Sequence, residues 1–333
     1  MHKISPILSI CIPTYNRSAF LVECLESLSP IFSQMGDALE IIISNNASTD
    51  DTVATLKVWQ AQEPNLRIHH QAENIGAERN FYFLANQARG EFLWVFGDDD
   101  RIEPSAVEFI LKRIKQHRSL DALVINFRVM SKDMAIVKRS AGLNFSNDQI
   151  FFDKNEVLSK LGLNLGYISS VIVRRDLFLR TTFEDYTKLA DTGFSFAYAV
   201  YAGLHSLSQV QFIVNPLFDN RGGNSGGYNW YAYFVRGSSR VFKALVDENN
   251  YSPSAAWQAN KGVLRQYVVH DLLARKRDGA MLPGLSKMLF EHYAKAPLFW
   301  LAVVPIFCVP TWAARFVWYV WSKLKWVRNK VGF

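Results

Sequence analysis

Three consecutive carboxylates, Asp98, Asp99 and Asp100, follow an apolar run from Phe92 to Phe96 and a single glycine, Gly97. Like charges so crowded repel unless something positive sits among them. A hard divalent cation such as Mg2+ or Mn2+ takes oxygen ligands and often arrives with phosphate oxygens attached. In an open α/β sheet the ligand crevice lies outside the carboxyl ends of the strands, which is where these aspartates would stand. The competing reading is an acidic turn leading into the helix predicted from Pro104.

The preceding residues alternate strand, polar turn and helix. Ile7–Ile12 reads as a strand ended by Pro13-Thr-Tyr-Asn-Arg17, with Ser18 as N-cap of a helix whose apolar positions Leu21, Cys24, Leu25, Leu28, Ile31 and Phe32 keep a three-four spacing. Glu40–Ile43 is a second strand, breaking at the polar cluster Ser44–Asp51, from which another helix starts. Asn65–His69 is a third, followed by Asn74-Ile-Gly-Ala-Glu-Arg-Asn80 at the head of a helix that stops at Gly90. The economical solution is an α/β fold with a mostly parallel sheet flanked by helices and all the polar turns on one edge.

The series Ile12–Arg17, Ser44–Asp50, Asn74–Asn80 and Phe96–Asp100 resembles the amino-terminal half of glycosyltransferase family 2, which has the Rossmann-like GT-A fold. The resemblance covers the first 130 residues or so. It implies transfer from a nucleoside-diphosphate sugar with inversion at the anomeric carbon and a Mg2+ or Mn2+ ion at the aspartates. Pro13, Tyr15, Asn45 and Asn46 would then surround base and ribose, and Arg79 would approach the phosphates or ribose. Asp98 would lie by the donor, Asp99 would touch both donor sugar and metal, and Asp100 would sit at the metal. Two departures stand out. Asparagines occupy positions where the family commonly has Asp, which suits a cytosine or thymine base as well as uracil. The acidic motif reads Gly97-Asp-Asp-Asp rather than Asp-x-Asp-Asp, which leaves open which carboxylate meets the metal and points first to Asp99. Taken without the family, Asn45 and Asn46 read as turn residues and Arg79 as a solvated surface residue.

Further strands are expected at Asp121–Phe127, Tyr167–Arg174 and Ser208–Phe218, with a helix from Asp191 to Leu204. Residues 130–155 show no regular pattern. Ile168–Val173 and Asn220-Arg-Gly-Gly-Asn224 resemble segments of the abequosyltransferase-like branch, which builds O-antigen side branches in lipopolysaccharide. An inverting transfer needs a carboxylate to take the acceptor's proton. Asp191 is the candidate, with Asp185 and Glu184 behind it, and a plain helix N-cap is its alternative. Arg221, beside Gly222 and Gly223, could close over the diphosphate as part of a lid or belong to an ordinary surface loop.

Helices are expected at Tyr228–Asp247, Ser254–Arg277 and Leu285–Ala294. The segment Leu298–Trp321 holds one charge, Arg315, and is interrupted by Pro305 and Pro310, which argues against a clean membrane span. Trp300, Trp312, Trp318, Trp321 and Trp326, with Lys323, Lys325, Arg328 and Lys330, have the composition of a segment at the headgroup level. Anionic lipid of the cytoplasmic membrane face would meet those cations. A buried hairpin or a homo-oligomer contact is the other use for such a tail. The chain thus divides into 1–225, a nucleotide-sugar-binding catalytic domain; 226–297, a helical extension; and 298–333, a membrane-associating tail.

Five of the seven net positive charges belong to that tail, which excludes a basic nucleic-acid-binding face on the remainder. Three scattered cysteines without metal-ligand spacing fit a reduced, cytoplasmic compartment, and Met1–Pro6 leads into a strand with no secretory signal pattern. The expected activity is therefore transfer of a sugar to a lipid-linked glycan of a bacterial surface polysaccharide. The alternatives are a non-catalytic nucleotide-sugar-binding protein of the membrane surface, which the acidic triplet disfavours, and a nucleotidyltransferase, whose Gly-rich basic loop Pro13-Thr-Tyr-Asn does not resemble.

Overall fold

The computed structural model describes residues 5–32, 36–223 and 231–320. One sheet contains β1 (Leu8–Thr14), β2 (Leu39–Asn45), β3 (Arg67–His70), β4 (Phe92–Val95), β5 (Arg101–Ile102), β6 (Ala122–Met130), β7 (Val137–Arg139), β8 (Gln149–Phe151), β9 (Val171–Arg174) and β10 (Val210–Arg221). Its order is β3-β2-β1-β4-β9-β6-β10-β5, with β7 on β6 and β8 on β10. Strands β1 to β4 are parallel, and β9 is antiparallel to both β4 and β6. The pairing of β10 with β6 is parallel again, so β1, β2, β3, β4, β6 and β10 share one direction.

The helices are α1 (Ser18–Phe32), α2 (Thr52–Gln62), α3 (Ala77–Gln87), α4 (Pro104–Gln116), α5 (Lys154–Leu161), α6 (Arg175–Phe178), α7 (Phe183–Thr187), α8 (Ser195–Gly203), α9 (Ser238–Asn249), α10 (Pro253–Val263), α11 (Val269–Asp278), α12 (Leu285–Tyr293) and α13 (Val304–Cys308). Burial on both faces gives the inner strands their nearly unbroken apolar sequences. On α1, Leu21, Cys24, Leu25, Leu28 and Ile31 form the buried stripe that the spacing predicts. A single apolar core runs from β1 through the sheet to α10 and on to Val303.

Several boundaries differ from expectation, each for a local reason. β1 continues through Pro13 to Thr14 although a central strand should not tolerate proline. Cys11 O accepts from Phe96 N and Thr14 O from Asn46 N, so odd-numbered residues of β1 face β4. β4 has ended by the level of Pro13, and the missing N–H therefore interrupts no ladder. Ser18 is the first helical residue of α1 and not its cap; its amide donates to Asp50 Oδ2 at 3.0 Å.

The strand expected from Tyr167 starts only at Val171, because a tight turn over Ile168–Ser170 is held by contacts with the acidic loop. The helix expected from Asp191 begins at Ser195, after a turn over Ala190–Thr192 that Gly193 closes at φ 71°. A π turn, Leu264–Val268, interrupts the helix expected over Ser254–Arg277. The irregular 130–155 region contains β7 and β8.

In the tail, a π turn at Phe299–Val303 runs into α13, and residues 311–320 are helical. No helix among the described residues is long and apolar enough to cross a membrane. Trp321, Lys323, Lys325, Trp326, Arg328 and Lys330 lie outside the described residues.

Candidate active site

The parallel strands place the ends of β1, β2 and β4 side by side, so the turns that follow them meet at one edge. The turn after β4 carries the three aspartates, which point in different directions. Asp100 is buried and faces inward. Its Oδ2 accepts from Ser169 Oγ at 2.6 Å, and its Oδ1 accepts from Asn220 Nδ2 at 2.9 Å and Arg221 N at 3.1 Å. Ser169 Oγ in turn accepts from Gly97 N at 2.9 Å, and Ser169 O accepts from Trp94 Nε1 at 2.9 Å. The turn is therefore clamped from beneath. Gly97 fits this close packing, since a Cβ there would lie 3.1 Å from carboxylate oxygens of both Asp99 and Asp100.

Asp98 is buried as well, and its Oδ1 accepts from Arg17 Nη1 at 3.1 Å. Arg17 Nη1 also lies 3.4 Å from Asp99 Oδ2, so this half-exposed guanidinium is the positive charge that the acidic cluster requires. The Asp99 side chain retains 17% of its surface. Of the three carboxylates it is the most exposed.

Burial governs the electrostatics. It pushes the Asp98 carboxyl up to about 6, against the pull of Arg17. For Asp100, burial and then the neighbouring Asp99 charge raise the carboxyl to about 7, in spite of its three donors. Burial alone would lower the Arg17 pKa, but the charges of Asp98 and Asp99 more than reverse that and raise it.

Arg221 is not a lid residue. It ends β10, its side chain is 2% exposed, and all three of its guanidinium nitrogens donate within the fold. Nε donates to Asp99 O at 3.0 Å, Nη1 to Lys132 O at 2.7 Å and Nη2 to Glu23 Oε2 at 2.8 Å, while the group stacks 4.7 Å from the Phe20 ring centroid. Glu23 is shared with Arg101. Arg221 thus holds the backbone of Asp99 from behind, and its expected place in a mobile closing loop is corrected: the residue ends a strand and its side chain is buried.

Asn45 and Asn46, expected around base and ribose, are both buried, and their amides hydrogen-bond within the fold. Asn45 Oδ1 accepts from Ser48 N at 3.0 Å, and its Nδ2 lies 3.1 Å from His70 Nδ1. Asn46 Nδ2 donates to Asn74 Oδ1 at 2.9 Å and its Oδ1 accepts from Ile75 N at 3.0 Å. Asn45 thus braces its own turn against the end of β3, and Asn46 fixes the second and third polar turns together, as Asn16 fixes the first to the second by accepting from Thr49 N at 2.7 Å. The surfaces left facing outward are those of Tyr15, 42% exposed, the half-buried Pro13, and Arg79, exposed in the first turn of α3.

Asp191 does not cap α8. It lies on the surface in an ion pair with Arg240, its side chain 67% exposed. The amides of Ser195 and Phe196 at the start of α8 donate instead to Glu78 of α3, which also accepts from Tyr186 Oη at 2.9 Å. Asp185 lies in the first turn of α7, which Thr182 caps: Thr182 Oγ1 accepts from Asp185 N at 3.1 Å and donates to Asp185 Oδ2 at 2.8 Å, and Asp185 also pairs with Lys188.

Sequence reasoning assigned no role to Arg17, Glu23, Glu78, Ser169 or Asn220. The available signal was that Arg17, Glu78, Ser169 and Asn220 all fall inside the motifs already singled out. Among the described residues no three His, Cys, Asp or Glu side chains are arranged to hold a metal by themselves. A hard cation that takes most of its ligands from a substrate's phosphates and water needs only one or two carboxylates. The part-exposed carboxylate of Asp99 fits that requirement, while Asp100, expected as a ligand, is buried and accepts three inward donors.

Comparison with known proteins agrees with this geometry. Residues 9–179 match the family model for glycosyl transferase family 2. The chain is 28% identical over 181 residues to the abequosyltransferase RfbV of Salmonella typhimurium, covering 51% of this chain and 53% of that one. It is 32% identical over 144 residues to a chondroitin synthase of Escherichia coli, covering 43% of this chain and 20% of the synthase. The chain thus spans about half or less of the curated relatives it matches. Among solved structures, S. aureus TarS in complex with UDP-GlcNAc superposes with a TM-score of 0.62 at 16% identity, over 86% of this chain and 82% of that one. The mannosyltransferase PcManGT of Pyrobaculum calidifontis, in complex with GDP-Man and Mn2+, gives a TM-score of 0.55 at 15% identity, over 96% and 88% of the two chains. At such identities the structures speak to the fold, which is the expected GT-A arrangement.

Proposed function

Because the chain belongs to glycosyl transferase family 2 and is a glycosyltransferase, we propose that it moves a sugar, with inversion, from a nucleoside diphosphate to a hydroxyl of a lipid-linked glycan in bacterial surface polysaccharide synthesis, at the inner face of the cell membrane. The observation that carries this reading is the outward carboxylate of Asp99 at the end of β4, backed by the Arg221 and Asp100 network and faced by Arg17. A rigid support matters because a reacting group misplaced by an ångström loses much of its effect.

In this scheme Asp99 would hold a Mg2+ or Mn2+ ion, with the diphosphate completing its coordination. Such a cation supplies neutralisation of the negative charge that gathers on the leaving group. Arg17 adds a second positive group at the same place, and Tyr15, Pro13 and Arg79 offer surface to the nucleotide. Asp191 takes the acceptor's proton as the anomeric carbon is attacked from the opposite face; its carboxylate, paired with Arg240 yet 67% exposed, supports that assignment by its access to solvent. The abequosyltransferase among the relatives supports the O-antigen class of acceptor. Membrane attachment is supported by Trp300, Leu301, Trp312, Phe316 and Tyr319, all more than half exposed on the C-terminal helices.

Calorimetric titration of nucleotide sugars with and without Mn2+ tests the scheme. Binding strengthened by Mn2+ in the parent, and indifferent to it in a stably folded Asp99→Asn variant, is the expected result. Equal heats with and without the ion would remove the metal, and no binding of any nucleotide sugar would remove the transferase reading altogether.

A further inference from the structure

A second cavity, of about 440 Å3, lies away from the aspartates between α5, the turn that follows it, α10 and the segment at residues 296–298. That volume is in the range of small-ligand sites. Lys160, Lys261 and Arg265 line it with Gln258, Gln266 and Tyr267, and neither Asp nor Glu is among its lining residues. Three cations around one hollow without a carboxylate make a site for an anion. The π turn Leu264–Val268 forms part of the wall, and such turns recur at functional sites because they displace side chains from the regular helical register.

Two further features say which anion. The wall ends at Leu298, next to the exposed Trp300 and Leu301, so the cavity opens beside apolar surface suited to a lipid interface. From the opposite wall a hydrogen-bonded chain runs to the acidic loop. Tyr267 Oη donates to Asn164 Oδ1 at 2.8 Å, and Asn164 O accepts from Tyr167 N at 3.1 Å. Tyr167 Oη then donates to Asn220 Oδ1 at 2.9 Å, and Asn220 Nδ2 donates to Asp100 Oδ1 at 2.9 Å. The cavity and the acidic loop are thus linked by hydrogen bonds that run through side chains and the backbone of residues 164–167.

We propose that this cavity receives the phosphate headgroup of the membrane-borne glycan acceptor, so that Lys160, Lys261 and Arg265 set how far the acceptor sugar reaches toward Asp99. This rests on the transferase reading above and adds the acceptor's anchoring point to it. The site selects the phosphate; the lipid beyond it would lie along the Trp300 surface.

The test uses the full chain and phosphatidylcholine vesicles that carry a long-chain polyisoprenyl diphosphate, with matched vesicles carrying phosphatidylglycerol at equal charge. Sedimentation should show preference for the diphosphate vesicles and competition by inorganic pyrophosphate. Each Lys or Arg near an anionic lipid is worth roughly fivefold in binding, so combining Lys160→Gln, Lys261→Gln and Arg265→Gln should weaken it on the order of a hundredfold. The three residues are exposed or half-buried, and an unchanged melting temperature would show that the variant folds. Parent-like binding by the variant, or an equal loss on phosphatidylglycerol vesicles, would overturn the proposal. Nucleotide-sugar titration of the same samples separates the two readings: normal donor binding with failed vesicle selectivity sinks the cavity alone, and absent donor binding sinks the transferase scheme.

Discussion

Replacing Arg221 distinguishes a structural support from a diphosphate clamp. In Arg221→Met the guanidinium is lost from a site where its side chain is 2% exposed, and the carbonyls of Asp99 and Lys132 lose their donor. A buried acceptor left unpaired costs about 1–3 kcal/mol, and the stacking on Phe20 is worth about 1 kcal/mol more. The ion pair with Glu23 contributes little to this sum, because Glu23 is partly solvated and keeps Arg101. The expected destabilisation is about 4 kcal/mol. At roughly 2–4 °C per kcal/mol for a domain of a few hundred residues, the melting temperature should fall by about 8–16 °C. Arg221→Lys restores one donor but not the planar fork, and should lie about halfway. Differential scanning calorimetry with saturating and absent nucleotide sugar is the assay. If Arg221 instead gripped the diphosphate from a mobile loop, the ligand-free melting temperatures would be unchanged and only the ligand-induced rise would shrink. That outcome would refute the support role.

Glu78 should make stability depend on pH. Burial lifts its carboxyl from an ordinary 4.5 to about 7, outweighing the donors Tyr186, Phe196 and Ser195. A raised carboxyl pKa means that the folded chain binds the proton more tightly, so stability is lost as pH rises from about 4.5 through about 7. Discounting for its partial exposure, the loss is about 2 kcal/mol. Glu78→Gln should flatten that part of the melting-temperature profile relative to the parent, while Asp98 and Asp100 affect both alike; parallel profiles would contradict the assignment. Asn46→Ala removes two hydrogen bonds between neighbouring turns and leaves Ile75 N without its acceptor, for a loss of about 1–3 kcal/mol and faster proteolysis at residues 72–76. Unchanged cleavage and an unchanged urea midpoint would count against that pinning role.

What could be read in the chain, and what could not, divides along a physical line. Strand and helix patterns depend on the spacing of apolar residues, and these located the sheet, the stripe on α1 and the turns that meet at one edge. The order of motifs along the chain was enough for the family. Direction and occupancy of side chains depend instead on residues far away in sequence. Nothing near Arg221 announces Asp99, Lys132 and Glu23 as its partners, and next to two glycines it read as part of a mobile loop. Nothing near Asn46 announces that Asn74 and Ile75 of the third turn bond its amide, and Tyr167–Ser170 looks like a strand until Gly97 and Asp100 claim Ser169. That Asp100 turns inward was likewise settled by residues 169, 220 and 221, which supply its donors, because a buried acidic group is costly without them.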